Sequence, residues 1–346
     1  MTLVKFEATL GRNKFDLDIA DMKKVTILAS EKCLLSSVAS PMDMFLQAGV
    51  LWNATVGEPI SPMFQVNIVT ADGKPVTALS GVPIAPNFAM HDIEYPDLVI
   101  VPSQAFFIDP QSEKHEDRIA WLKAAFENGS DLASICTGAF TLAATGLLDG
   151  KTATTHWGMT KEFQRRFPRV DLRTDLLVTD EGRLFCGGGI SADLNLSLYL
   201  IEKYCGREIA LQSSRCTLVD LDCVSQAPFA VFNPEKNHSD KIVLDAQTEI
   251  ERSFRKSVDV GVFAATAGIS VRQFNRRFRF ATGATVTGYL QLVRIEAAKS
   301  ELVTTRLPFD EIAANVGYEN ASFFRRIFKK CTSISPAEYR RRFGNR

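Results

Sequence analysis

The sequence predicts an α/β domain on a doubly wound, mostly parallel sheet, followed by an all-α domain holding two helix-turn-helix units. Three observations predict it. Between residues 24 and 205, short β-rich apolar runs alternate with helical stretches of ten or more residues, the pattern of a sheet covered on both faces. From Ile242 onward the periodicity is helical only, and one helical pattern occurs there twice. Charge follows the same division. Residues 240–346 carry 19 Lys and Arg against 11 Asp and Glu, a net of +8, and the remainder 21 against 29, a net of −8.

Taken in order, residues 1–23 have mixed charge and little periodicity and read as an appended arm with one edge strand. The strands of the α/β domain, residues 24–212, are KKVTILAS, FQVNIVTA, DLVIVPS, SDLASICT and GRLFCGGG. Between them SPMDMFLQAG, EDRIAWLKAAFENG, GAFTLAATGLL, HWGMTKEFQRRF and ADLNLSLYLIEKYCG read as helices. Residues 213–240, polar and containing Pro228 and Pro234, read as a linker to the helical domain of residues 241–346.

In that domain FAATAGI leads through Gly268 into SVRQFNRRFRF. Ser270 is a suitable N-cap, and Phe274 and Phe278, four apart, share the core-facing side. Arg272, Gln273, Asn275, Arg276 and Arg279 fall on the other faces, with donor patterns that suit guanine and adenine edges. The arrangement returns as Ala313-x-x-x-Gly317, Phe324 and Phe328, with Arg326 matching Arg276 fifty positions later. A solvated basic helix explains one copy; two copies with Arg at the same outer position point to DNA. TVTGYLQLVRIEAAKSELV reads as the connecting helix, and Ser335-Pro336-Ala337-Glu338 as the start of a last one.

The 346 residues suffice for two or three domains, and the net charge is zero only because the two parts cancel. A basic third implies that the C-terminal part alone meets a polyanion. The seven cysteines form no C-x-x-C pair, and the four histidines are dispersed, which excludes the usual zinc patterns and implies neither metal nor cofactor. No apolar run is long enough for a signal peptide or a membrane span, so free thiols in a reducing cytoplasm are expected.

GYENASFFRRIFKKCTSISPAEYRRRF resembles the signature of the AraC/XylS family of transcription regulators, and the resemblance extends over about residues 240–346. It implies two recognition helices entering successive major grooves of double-stranded DNA. Arg272, Gln273 and Arg276 of the first, and Ser322, Phe323 and Arg326 of the second, would then meet base edges. Asn275, Arg277, Lys329 and Lys330 would meet phosphates.

SDLASICTGAFTLAATGLLDGKTATTHW runs strand, sharp turn at Cys136-Thr137-Gly138, helix, and a short strand reaching His156-Trp157. This is similar to the PfpI-like branch of the class I glutamine-amidotransferase-like superfamily, with its flavodoxin-like sheet, over about residues 24–205. There the elbow cysteine is a nucleophile, activated at a helix N-terminus and approached by a downstream histidine; Cys136 and His156 occupy those places. The sequence departs from the enzymes at two points. Pro102-Ser103-Gln104 stands where they carry oxyanion-hole glycines, and Ser37 where they carry a glutamate, with Glu31 an alternative if the alignment slips. Cys136 therefore reads as the wall of a ligand pocket, ahead of a redox-sensitive thiol or a residual nucleophile.

A PfpI-like domain ahead of an AraC-type domain is the arrangement of GlxA-type regulators, and the whole chain resembles one. The resemblance implies a homodimeric activator that contacts RNA polymerase and is controlled by a small molecule, a quaternary ammonium compound or an amino acid. Ligands of open α/β sheets bind beyond the carboxyl ends of the strands, which puts the effector near Ser37, Ser103, Gln104, Cys136, Thr137, His156 and Trp157. Trp157 is either a cation–π wall for it or a core residue. The rival reading is a cysteine-dependent amidase, protease or glyoxalase with Cys136 as nucleophile.

Overall fold

A computed structural model describes residues 22–104, 113–221 and 225–344. These fall into two units divided at 224/225, with residues 174–176 counted in the second.

In the first unit, β1 (Lys23–Leu28) is buried from Val25 onward, as a central strand covered on both sides must be. The seven-stranded sheet also takes in β2 (Phe64–Thr70), β5 (Phe88–Ala89), β6 (Leu98–Val101), β7 (Asp131–Ile135), β10 (Val178–Asp180) and β11 (Leu184–Gly187). Its order is β10-β11-β7-β6-β1-β2-β5, parallel except for the β10–β11 pair. Two short pairs stand apart, β3 (Val76–Thr77) with β4 (Pro83–Ile84), and β8 (Thr152–Ala153) with β9 (Asp171–Leu172).

Helices cover both faces. Val25 and Ile27 pack with Phe45 of α1 (Ser36–Gln47) and Leu198 of α6 (Ala192–Cys205). Leu28 and Val99 pack on the opposite side, with Leu122 of α3 (Glu113–Glu127), Phe140 of α4 (Gly138–Ala144) and Phe163 of α5 (Thr160–Arg166). The chain moves outward from β1 to β2 and β5, then returns to β6 and moves the other way. The resulting switch point opens a crevice beyond the ends of β1 and β6. There Cys33, after β1, bridges Gln104, after β6.

Some local readings need correction. Helices α2 (Leu51–Val56) and α7 (Arg207–Thr217) were not foreseen, and α7 continues into the stretch read as linker because it buries Ala210 and Ser213. β8 stops at Ala153, so the strand expected to reach His156 ends early and a 3-10 turn over Trp157–Met159 takes its place. The edge strand expected in the arm lies outside the described residues.

The second unit contains α8 (Lys241–Ser253), α9 (Val260–Thr266), α10 (Val271–Thr282), α11 (Val286–Thr304), α12 (Phe309–Asn315), α13 (Ala321–Thr332) and α14 (Pro336–Phe343). Residues 225–240 lie along α11: Lys299 donates to the Ala230 carbonyl at 2.6 Å, and Phe232 packs edge-on to Tyr289 at 5.2 Å. The repeat is deeper than the sequence reading found. Thr282 and Thr332 each donate back to the Phe carbonyl four residues earlier, at 2.7 and 2.8 Å. Gly283 and Ser333 both adopt positive φ, Thr285 and Ser335 cap the next helices, and Tyr289 and Tyr339 meet Phe278 and Phe328 edge-on at 5.5 Å. All these pairs are fifty residues apart. Arg294 of α11 ties the halves together, donating to the Phe254 and Lys256 carbonyls at 2.8 and 3.0 Å while lying 4.9 Å over Tyr318.

Candidate functional site

α10 starts at Ser270, whose Oγ accepts the Gln273 N–H at 3.2 Å while Gln273 Oε1 accepts the Ser270 N–H at 3.1 Å. This capping box satisfies two donors of the first turn. α13 is capped by Asn320 on the Phe323 N–H at 2.8 Å. Phe274, Phe278, Phe324 and Phe328 are fully buried. The opposite faces present Arg272, Gln273, Asn275 and Arg276 on α10, and Ser322, Phe323, Arg326, Lys329 and Lys330 on α13, all exposed. Arg326 lies 5.7 Å over the Phe323 ring, so these two neighbours on the helix surface form one stacked probe. Two of the expected DNA contacts have partners within the chain. Gln273 has its carbonyl in the capping box, which leaves its amide N–H groups outward, and Arg277 forks the Asp240 carboxylate at 2.8 and 2.9 Å.

In the crevice of the α/β unit, Cys136 sits at φ +54 on the sharp turn between β7 and α4, with its N–H on the Gly187 carbonyl at 2.7 Å. Gly138 makes this turn possible: a Cβ there would lie 2.7 Å from the Pro102 carbonyl oxygen. Five of the seven expected pocket residues meet here. Ser37 Oγ accepts the Ser103 N–H at 3.0 Å and donates to the Leu34 carbonyl at 2.7 Å. Thr137 Oγ1 accepts the Gln104 N–H at 2.9 Å, donates to the Gln104 carbonyl at 2.6 Å, and is 3.0 Å from Ser103 Oγ. Ser103 Oγ also hydrogen-bonds the thiol of Cys136. The backbone N–H groups of Ser103 and Gln104, at the place of an oxyanion hole, are thus taken by Ser37 and Thr137.

Burial pushes the Cys136 thiol up, and the hydrogen bonds from Ser103 and the Thr137 N–H only partly offset it. His156 is half-buried; its Nδ1 accepts the Gly158 N–H at 3.1 Å, and its ring lies 5.2 Å from that of Trp157. It meets the elbow through its neighbour, since Thr155 Oγ1 donates to the Cys136 carbonyl at 2.8 Å. Burial lowers the His156 pKa, which favours a neutral ring. Trp157 is half-buried beside it.

The sequence reading missed Asp193, a buried carboxyl at the start of α6 whose charge reaches Cys136. Desolvation pushes it up to about 6, against hydrogen bonds from the Leu194 N–H and the Ser40 hydroxyl. An acid after a glycine-rich loop was the available signal, but it also describes an ordinary first turn of a helix. Among the described residues, no three His, Cys, Asp or Glu side chains gather as a metal site requires, and no helix is long and apolar enough to cross a membrane.

Comparison with known proteins agrees with both halves. The sequence matches the DJ-1/PfpI family over residues 23–200 and a helix-turn-helix domain over residues 263–342. It is 26% identical to the HTH-type transcriptional regulator CdhR of Pseudomonas aeruginosa over 289 residues, covering 80% of this chain and 82% of that one. It is 31% identical to the HTH-type transcriptional regulator GlxA of Rhizobium meliloti over 221 residues, 63% of this chain and 67% of the relative. The isonitrile hydratase of Pseudomonas putida is 30% identical over 174 residues, 50% of this chain and 72% of the enzyme. With one family match spanning half its length and an AraC-type helix-turn-helix domain behind it, the chain belongs to the DJ-1/PfpI family, among the transcriptional regulators that join these two domains.

Proposed function

We propose that the protein is a cytoplasmic activator that reads a DNA sequence with α10 and α13 and responds to a small molecule held beyond β1 and β6. The observation that supports it best is the duplicated helix on which Arg276 and Arg326 face solvent while paired phenylalanines anchor the reverse side. Arg276 and Arg326 each suit the O6 and N7 of a guanine, and Phe323 suits a thymine methyl. Lys329, Lys330, Asn275 and Arg277 position the helices on phosphates. A homodimer would place two such modules on paired half-sites and raise avidity without new base contacts, and RNA polymerase is the expected second partner. The effector, a quaternary ammonium compound or an amino acid, must favour one placement of the DNA-reading modules over another to have any effect.

In this reading the α/β domain is catalytically silent, because Ser37 and Thr137 occupy the N–H groups an oxyanion would need and the thiol is held protonated. Arg326→Ala tests the DNA-reading assignment. Specific affinity should fall by about 1–3 kcal/mol and base preference should relax at one position; an operator titration with both unchanged would remove the assignment. A second reading, a cysteine enzyme, draws on the strained elbow at Cys136 and the isonitrile hydratase relative. Turnover abolished by Cys136→Ser with DNA binding intact would favour it.

A further inference from the structure

Phe280, near the end of α10, is 93% exposed, while Phe274 and Phe278 of the same helix are fully buried. Its counterpart in the second repeat is Lys330, also exposed and at the same distance from the end of α13. A lysine there suits a phosphate; a phenylalanine cannot hold one. Gln273, Arg276 and Phe280, at i, i+3 and i+7, share one face of α10, turned away from the buried pair. At 1.5 Å per residue, Phe280 stands about 6 Å beyond Arg276 along the helix axis, roughly two base-pair steps.

A single exposed apolar side chain is ordinary on a protein surface. This one is set among the exposed guanidinium groups of Arg272, Arg276 and Arg279. A protein partner covering Phe280 would have to desolvate those charges, whereas a duplex neutralises them at its phosphates. In the major groove, the apolar feature open to a phenyl ring is the 5-methyl group of thymine. We propose that Phe280 is a base-reading residue of α10, and that it selects a thymine within about three base pairs of the base met by Arg276. The two repeats then end differently on DNA, α13 on a phosphate through Lys330 and α10 on a base through Phe280. The proposal rests on the reading of α10 and α13 as the DNA-reading helices and adds to it a determinant of sequence preference.

The test uses the full chain to select a preferred duplex from a random-sequence pool. Each thymine of that duplex is then replaced in turn by deoxyuridine, which removes the methyl group and nothing else. Wild type, Phe280→Ala and Phe280→Lys are titrated against the set; with so little of Phe280 covered, neither variant disturbs the core. At one thymine the wild type should lose about fourfold in affinity, the worth of one buried carbon, and the Ala variant should lose nothing. That thymine should lie beside the base pair at which Arg276→Ala relaxes preference. The Lys variant should also ignore the methyl group, and its slope of log affinity against log salt should steepen by about 0.9, one more phosphate being neutralised.

Equal deoxyuridine sensitivity in wild type and Ala variant at every thymine would overturn the proposal. So would an unchanged salt slope for the Lys variant, which would put this position away from the duplex. Weaker self-association or transcription in Phe280→Ala, with DNA binding unchanged, would make the face a protein contact and overturn it as well. A pool that yields no preferred sequence would remove the DNA-reading assignment and this proposal with it. A preferred sequence that depends on Arg326 but on no thymine methyl through Phe280 would remove this proposal alone.

Discussion

Asp240 holds the first DNA-reading helix from outside: its carboxylate caps α8 through the Val243 N–H and forks Arg277 of α10 at 2.8 and 2.9 Å. An arginine assigned to phosphate is therefore shared with an internal carboxylate. Asp240→Asn preserves the cap and releases the guanidinium. The slope of log affinity against log salt should steepen by about 0.9, one more phosphate neutralised. DNA titrations at four or five salt concentrations give that slope, and an unchanged value would place Arg277 off the phosphate path. The same carboxyl is held below its usual range chiefly by Arg277. Its contribution to stability is present above the unfolded Asp pKa of about 3.9 and is lost as pH falls through the depressed folded value.

Asp193 titrates in the opposite sense. Its folded pKa of about 6 stands above the unfolded value, so its contribution is full below about pH 4 and is lost as pH rises through 6. Asp193→Asn should remove this slope and stabilise the protein at pH 7 by about 3 kcal/mol, since the shift is about two pKa units at about 1.4 kcal/mol each. Chemical denaturation of both proteins at pH 4 and pH 7 measures it. Parallel pH dependences would show that the carboxyl titrates normally.

The turn glycines of the two repeats should differ. Gly317, at φ +89, has the Arg255 carbonyl where a Cβ would go and an Arg294 nitrogen 2.9 Å away, whereas Gly268, at φ +65, faces open space. Gly268→Ala should cost about 1–2 kcal/mol for the left-handed backbone alone. Gly317→Ala should cost about 3 kcal/mol or more, because backbone must also move. Equal losses in denaturant melts would contradict the close approach.

Ser333 takes φ +61 where the first repeat has Gly283. Ser333→Gly should raise stability by about 0.5–1 kcal/mol, the left-handed penalty removed less the added freedom of the unfolded chain. The gain is reduced by the lost contact between Ser333 and Ser225, 2.9 Å apart. A destabilised variant in the same melts would mean that this contact outweighs backbone strain.

Alternating β-rich and helical runs, with Phe274, Phe278, Phe324 and Phe328 at fourfold spacing, determined the α/β sheet, the two helix-turn-helix units and the arginines on their outer faces. Such features are local: period, cap and turn residue are written in adjacent positions. The sequence alone did not show that Phe263 and Phe309, at non-equivalent positions, stack on Phe274 and Phe324 at 5.7 and 5.5 Å. Nor did it pair Asp240 with Arg277 or bring Asp193 near Cys136. Tertiary structure decided those, because partner choice and desolvation depend on residues that are distant in sequence, and the burial that pushes the Cys136 thiol up exists only once the fold closes over it.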